Sequence, residues 1–195
     1  MKKLMIFLAV LTAAFTLRAA DNDEIIQTIT EFRLSVLAFD FEKAITYCTA
    51  DYVEFSPDGK HRTIADLRQM MQAYRTMESS NDLEVVLECA LKLQGTVMTD
   101  AQRQQIRAVK GTSREAQALA AIKQQLSALR TQMVNMRSVL INMLKIRDVR
   151  INGSEATATQ EFIEPGTGKK YITYYKLRKV NGRWLICELR QETPA

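Results

Sequence analysis

The chain has little of what usually fixes a functional assignment. Its 195 residues include one histidine, His61. A histidine-containing metal site or a general base of ordinary pKa would have to use it. It stands between Lys60 and Arg62, where a solvated side chain is the simpler reading. The three cysteines, Cys48, Cys89 and Cys187, are spaced widely and irregularly, which excludes a zinc signature and a disulfide scaffold. Either one pair closes a disulfide or all three serve as small apolar core residues, and we prefer the second. There is no Gly-rich phosphate loop, no nucleophile elbow and no Cys–His arrangement. No cofactor, metal site or catalytic residue is indicated, so the sequence leans away from an enzyme.

What is present begins with a tripartite N-terminus. Lys2 and Lys3 precede an apolar stretch from Leu4 to Leu17, followed by Ala19, Ala20 and the acidic run Asp21-Asn22-Asp23-Glu24. That is the layout of a secretory signal, and the apolar stretch is shorter than the ~20 residues needed to span a bilayer. Residues 1–20 are read as a signal peptide, cut at Ala19 or Ala20 with Arg18 unusually close. An uncleaved N-terminal anchor is the alternative. Residues 21–195 are then one exported domain, periplasmic or secreted, with no membrane span once the signal is removed. Lys2, Lys3 and Arg18 leave with the signal, so 24 basic residues face 22 acidic ones. The sequence pI near 9.2 therefore overstates the basicity of the mature chain. Nucleic-acid binding, which needs a clustered basic surface, is not expected.

The pattern along the domain is α+β. Residues 23–38 have helical apolar spacing (Ile25, Ile29, Phe32, Val36), and Asp40 is placed to cap a shorter helix through Tyr47. Tyr52 to Phe55 reads as a strand stopped by Ser56-Pro57-Asp58-Gly59, and Thr63 caps a third helix. Toward the C-terminus four strands are predicted: 146–151, 154–164, 170–180 and 183–190. Asn152-Gly153 and Asn181-Gly182 turn two of the hairpins, and Pro165-Gly166-Thr167-Gly168 separates the middle pair.

Between these parts lies a Gln-, Ala-, Leu- and Met-rich section. Residues 83–93 satisfy both a strand alternation and a helical face ended by Gly95, and we choose helix. A second helix is predicted over 99–110. A third opens on Thr112 with Glu115 and carries a heptad seam of Leu119, Ile122, Leu126, Leu129, Met133, Met136, Leu140 and Met143. A strip this narrow packs on one partner. It either folds back on the two preceding helices or meets another chain, as a homodimer or a protein-interaction surface. Fold-back is slightly preferred.

Three helices, a strand with a Pro-Gly turn, then a meander ending in Gly182-Arg183-Trp184-Leu185-Ile186 resemble the nuclear transport factor 2-like superfamily, in its SnoaL-like and ketosteroid-isomerase-like branch. The matching segments are Tyr52 to Gly59, Val149 to Thr157 and Asn181 to Ile186, covering roughly 23–80 and 145–191. Residues 81–144 look like a helical insertion. The resemblance implies a cone-shaped curled antiparallel sheet on N-terminal helices, often holding a small apolar or amphipathic ligand. Tyr52, Phe55, Tyr74, Tyr175, Trp184, Ile186 and Glu188 are the candidate lining, with Tyr171 and Thr173 on the same strand face as Tyr175. The alternative is that these aromatics simply fill the core. Isomerases of the branch look to rely on a carboxylate just before the Pro of the turn. Here that residue is Ser56, so no such base is expected.

Overall fold

A computed structural model describes residues 2–163 and 168–192, with side chains from Ala19 onward. The break expected at Pro165-Gly166-Thr167 lies outside the described residues. The fold is α+β, with a curled sheet on a helical layer. Helix α1 runs without interruption over Lys2–Leu37 instead of starting at Asp23. Nothing in that stretch stops a helix: it holds no proline and no glycine. It ends where Phe39 takes φ 58°. Asp40 then caps α2 (Phe41–Ile45), accepting from the Lys43 amide at 3.1 Å.

Strand β1 covers Cys48–Phe55, longer than the four residues expected, and β2 is the short edge His61–Thr63. Helix α3 (Ile64–Ser79) opens with a reciprocal box between Thr63 and Asp66. The ambiguous segment is helix: α4 spans Leu83–Leu93, capped by Asp82 and ended by Gly95 at φ +72°. Helices α5 (Asp100–Ala108) and α6 (Ser113–Asn135) follow. The seam helix is not one piece. It breaks at Met136, and α7 (Arg137–Met143) follows as a separate short helix.

Strands β3 (Lys145–Asn152), β4 (Glu155–Ile163), β5 (Lys170–Val180) and β6 (Arg183–Glu192) form the antiparallel meander. The sheet order is β2-β1-β6-β5-β4-β3, with β1 parallel to β6. Asn181 and Gly182 both take positive φ, as a two-residue primed turn requires. The other hairpin is shifted by one residue. Asn152 pairs with Glu155, so Gly153-Ser154 makes the turn. The concave face carries the core, where Ile25, Ile29 and Phe32 of α1 and Leu67 of α3 meet Trp184, Ile186 and Leu189. Helix α4 packs on α3, α6 lies along α4, and α7 reaches α1.

Candidate functional site

Strand register sorts the interior into layers. Ala156, Leu177 and Ile186 stand side by side across β4, β5 and β6, then Ala158, Tyr175 and Leu189, then Gln160, Thr173 and Gln191, and finally Phe162 beside Tyr171. Every second residue of a strand faces the same side, so these sets step from apolar to polar toward the end of β4. At the apolar end Trp184 is fully buried. Its backbone amide donates to Glu24 at 3.1 Å and its indole N–H to Asp21 at 3.0 Å. Asp21 also pairs with Lys179. Both acids come from α1, so the acidic run of the sequence is the clasp that fastens this helix to the sheet.

The third layer is different. Gln160 and Thr173 are buried, at 1% and 2% exposure. The Tyr175 hydroxyl donates to Gln160 Oε1 at 2.6 Å, but Gln160 Nε2 has no partner. Glu54 of β1, also buried, accepts from the Tyr52 hydroxyl and from Arg62 Nη1, each at 3.3 Å. Arg33 of α1 acts electrostatically on both Tyr52 and Tyr175, and its buried Nε has no partner. Burial pushes the Tyr175 hydroxyl up to about 12, and burial with the Glu54 charge raises Tyr52 as well. Both phenols therefore stay protonated and act as donors.

An apolar contact borders this end. Phe162 and Tyr171 have ring centroids 6.4 Å apart. A small apolar cluster of Leu34, Leu140 and Leu144, with Met133, Met136 and Phe162 against it, ties α7 to α1 and to the end of β4. Glu31 on α1 latches it by pairing with Arg137, and with Lys43 of α2 at 2.9 Å.

The candidate lining residues do not form one surface. Tyr52, Tyr175, Trp184 and Ile186 share the interior, with Tyr52 tilted against Phe32 at 5.9 Å between ring centroids. Tyr74 is buried but stacks on Phe39 at 5.5 Å, on the side of α3 facing α2 and Arg130. Phe55 faces away from the helices, with the Arg190 guanidinium 4.9 Å from its ring centroid. Glu188 is also on the outer face, paired with Lys176 at 2.7 Å. Simple alternation would place Glu188 with Trp184 and Ile186. The register slips at Cys187, where one extra residue makes a bulge and turns the following side chains over. Arg33 and Gln160 were the interior residues that sequence reasoning left out of the lining, whereas Thr173 was already placed on the face of Tyr175. Thr173 was legible from its alternation with Tyr175; Gln160 gave a signal only as a polar residue between Ala158 and Phe162.

The seam residues divide between two apolar clusters. Leu126 packs on the main core, and Met133, Met136 and Leu140 join the α7 cluster. Leu119, Ile122 and Met143 are half-buried and Leu129 is 37% exposed. No disulfide forms: Cys48 is buried, while Cys89 and Cys187 are half-buried and free. Burial raises all three thiols, so none is an activated nucleophile. His61 is exposed, in an open groove of about 510 Å³ between the β1–β2 turn, α3 and the end of α4. Ser56 sits in that turn, its amide bonded to the Lys60 carbonyl.

No protein-family model and no curated protein matches the chain. Solved structures do. One is an NTF2-like protein of unknown function from Shewanella oneidensis, with a TM-score of 0.42 at 10% identity, covering 88% of this chain and 98% of that one. Another is an NTF2-like protein with a cystatin-like fold from Novosphingobium aromaticivorans, with a TM-score of 0.45 at 12% identity, covering 93% and 87%. The association domain of C. elegans CaMKII gives 0.43 at 11% identity, covering 90% and 97%. The likeness is one of fold alone. All of these TM-scores are below 0.5, and the likenesses single out neither the SnoaL-like branch nor the insertion.

Proposed function

We propose that this chain is an exported NTF2-like domain that binds one small amphipathic molecule at the polar end of its cone without transforming it. The observation that carries the reading is that two buried donors, Gln160 Nε2 and Arg33 Nε, have no partner. A buried polar group without a partner costs about 1–3 kcal/mol, and a bound ligand that accepts from it removes that cost. The apolar end is tightly filled, so a ligand enters at the α7 side. Export rests on the leader pattern of residues 1–20, and the clasp agrees with a cut after Ala20. Ala19 and Ala20 are exposed, whereas Asp21 is tied to the sheet. After that cut Asp21, Asp23 and Glu24 become the first turn of the helix, where negative charge complements the dipole.

Native mass spectrometry with eight-carbon amphiphiles, combined with hydrogen exchange, tests the binding. One molecule per chain is expected, with slowed exchange in β4, β5 and α7. Protection confined to the outer face of the sheet would overturn it. N-terminal sequencing of exported protein should begin at Asp21, and an intact Met1 would contradict the processing.

A second reading, association through the inserted helices, has one observation in its favour. The 23-residue α6 has no fully buried side chain, and Leu129 and Val134 are exposed on it. Light scattering across protein concentrations decides between a monomer and a self-associating chain.

A further inference from the structure

One edge of the sheet is β2, and one residue on that edge has its backbone unspent. In an antiparallel pair, residues that exchange backbone hydrogen bonds alternate with residues whose N–H and C=O point away from the partner strand. The Ser56 amide donates to the Lys60 carbonyl at 2.9 Å, so these two form a bonded pair. Phe55 with His61 is then non-bonded, Glu54 with Arg62 bonded, and Val53 with Thr63 non-bonded. Thr63 agrees: its amide turns to the Asp66 carboxylate at 2.7 Å, away from β1. The N–H and C=O of His61 face the same free edge, and neither has a partner among the described residues.

This edge borders the groove of about 510 Å³ that His61 lines, with Met70, Ala73 and Leu93 as its apolar wall. An extended chain laid beside His61 would exchange two main-chain hydrogen bonds with it and turn alternate side chains toward that wall. The opposite edge, β3, is closed to such pairing. Its register shifts between Arg147 and Arg150, where Asp148 takes φ 52°.

Charge selects the kind of chain. Both acids lining the groove are spent locally: Asp58 accepts from the Lys60 amide at 3.2 Å, and Asp66 closes the box with Thr63. The Lys60 ammonium is paired with Asp58 at 2.8 Å, but the pair is solvent-exposed and open to exchange. Lys92, in the last turn of α4, makes no ion pair among the described residues. A second copy of β2 would set Lys60 and Arg62 against their own kind, which disfavours self-pairing. We propose that the groove beside β2 docks an extended, acidic peptide segment of a partner. Its main chain pairs with His61, its carboxylates meet Lys60 and Lys92, and an apolar side chain rests on Met70 and Leu93. The site is separate from the interior of the cone.

The test is fluorescence anisotropy of the purified protein with three labelled peptides. They are acetyl-Glu-Leu-Glu-Val-Glu-amide, the same peptide with Lys in place of Glu, and the acidic peptide N-methylated at its three central amides. The acidic peptide is expected to bind at least ~10-fold tighter than the basic one, the sum of a few exposed charge contacts. N-methylation should weaken it by roughly 3- to 10-fold, the worth of a main-chain hydrogen bond. Binding should also slow hydrogen exchange at the His61 amide. Lys92 is exposed, so Lys92→Glu should leave the melting temperature unchanged while weakening the acidic peptide and strengthening the basic one. Equal binding of the basic peptide would overturn the charge assignment, and equal binding of the methylated one would overturn strand pairing. If none of the three binds, the groove is no docking site, and the cone reading is untouched.

Discussion

The two ends of the cone are built on opposite terms. At the Trp184 end every polar group is spent: the indole and its backbone amide go to Asp21 and Glu24, and the remaining surface is aliphatic. At the Gln160 end, one layer beyond Tyr175, donors are buried and left unused. One end holds the fold together. The other carries a cost that stability alone would remove, and such a cost is what a binding site retains.

The comparison breaks most visibly at the apolar end. Trp184→Ala should destabilise by about 3–5 kcal/mol, as truncation of a fully buried aromatic does. Chemical denaturation would read it, and a loss below 1 kcal/mol would show that this end is not the structural one. Next come Leu126→Glu and Met133→Glu together. Each places a charge in a half-buried apolar contact, one on the main core and one on the α7 cluster. A loss of about 2–4 kcal/mol is expected, with the melting temperature lowered equally at every protein concentration. A halved mass with an intact sheet would instead point to an interface between chains.

The polar end should respond with the other sign. Gln160→Leu with Tyr175→Phe removes both members of a buried pair together with the orphan donor. Such replacement is near neutral or stabilising, by up to about 1 kcal/mol. The same double variant should lose ligand affinity, so stability and binding part company. A clear destabilisation would show that the polar layer is structural after all.

The smallest effect is a pH dependence at the clasp. Hydrogen bonds from Lys179 and then Trp184 hold the Asp21 carboxyl below its ordinary value. The folded state therefore binds this proton less readily than the unfolded chain. Its contribution is fully present above the unfolded value of about 4 and fades as pH falls through the lower folded one. Asp21→Asn should flatten that acid limb of the stability curve, and an unchanged limb would remove Asp21 from the clasp.

Local rules carried far along the chain. Thr63, Asp82 and Thr99 cap helices, Gly95 ends one, and Asn181-Gly182 turns a hairpin, because each depends on residues within a few positions of one another. Half of the candidate lining was legible for the same reason: Tyr175 on one strand, and Trp184 and Ile186 on the next, follow simple alternation. Glu188 was misplaced because side-chain direction depends on register, whereas Phe55, three positions from Tyr52, falls on the opposite face by alternation alone. The bulge at Cys187 is a property of the β5–β6 pairing and leaves no mark on β6 alone.

By itself the sequence determined the α+β class, the order of helices and strands, and the presence of helices between α3 and the meander. Those follow from periodicity and capping, which act over short distances. Only the tertiary structure decided that the seam breaks at Met136, with α7 packed against α1. Only it showed that Asp21 and Glu24 clasp Trp184, and that Thr28 donates to the Trp184 carbonyl. These contacts join residues about 160 positions apart. They form only when α1 lies across the curled sheet, so no window of local sequence contains them.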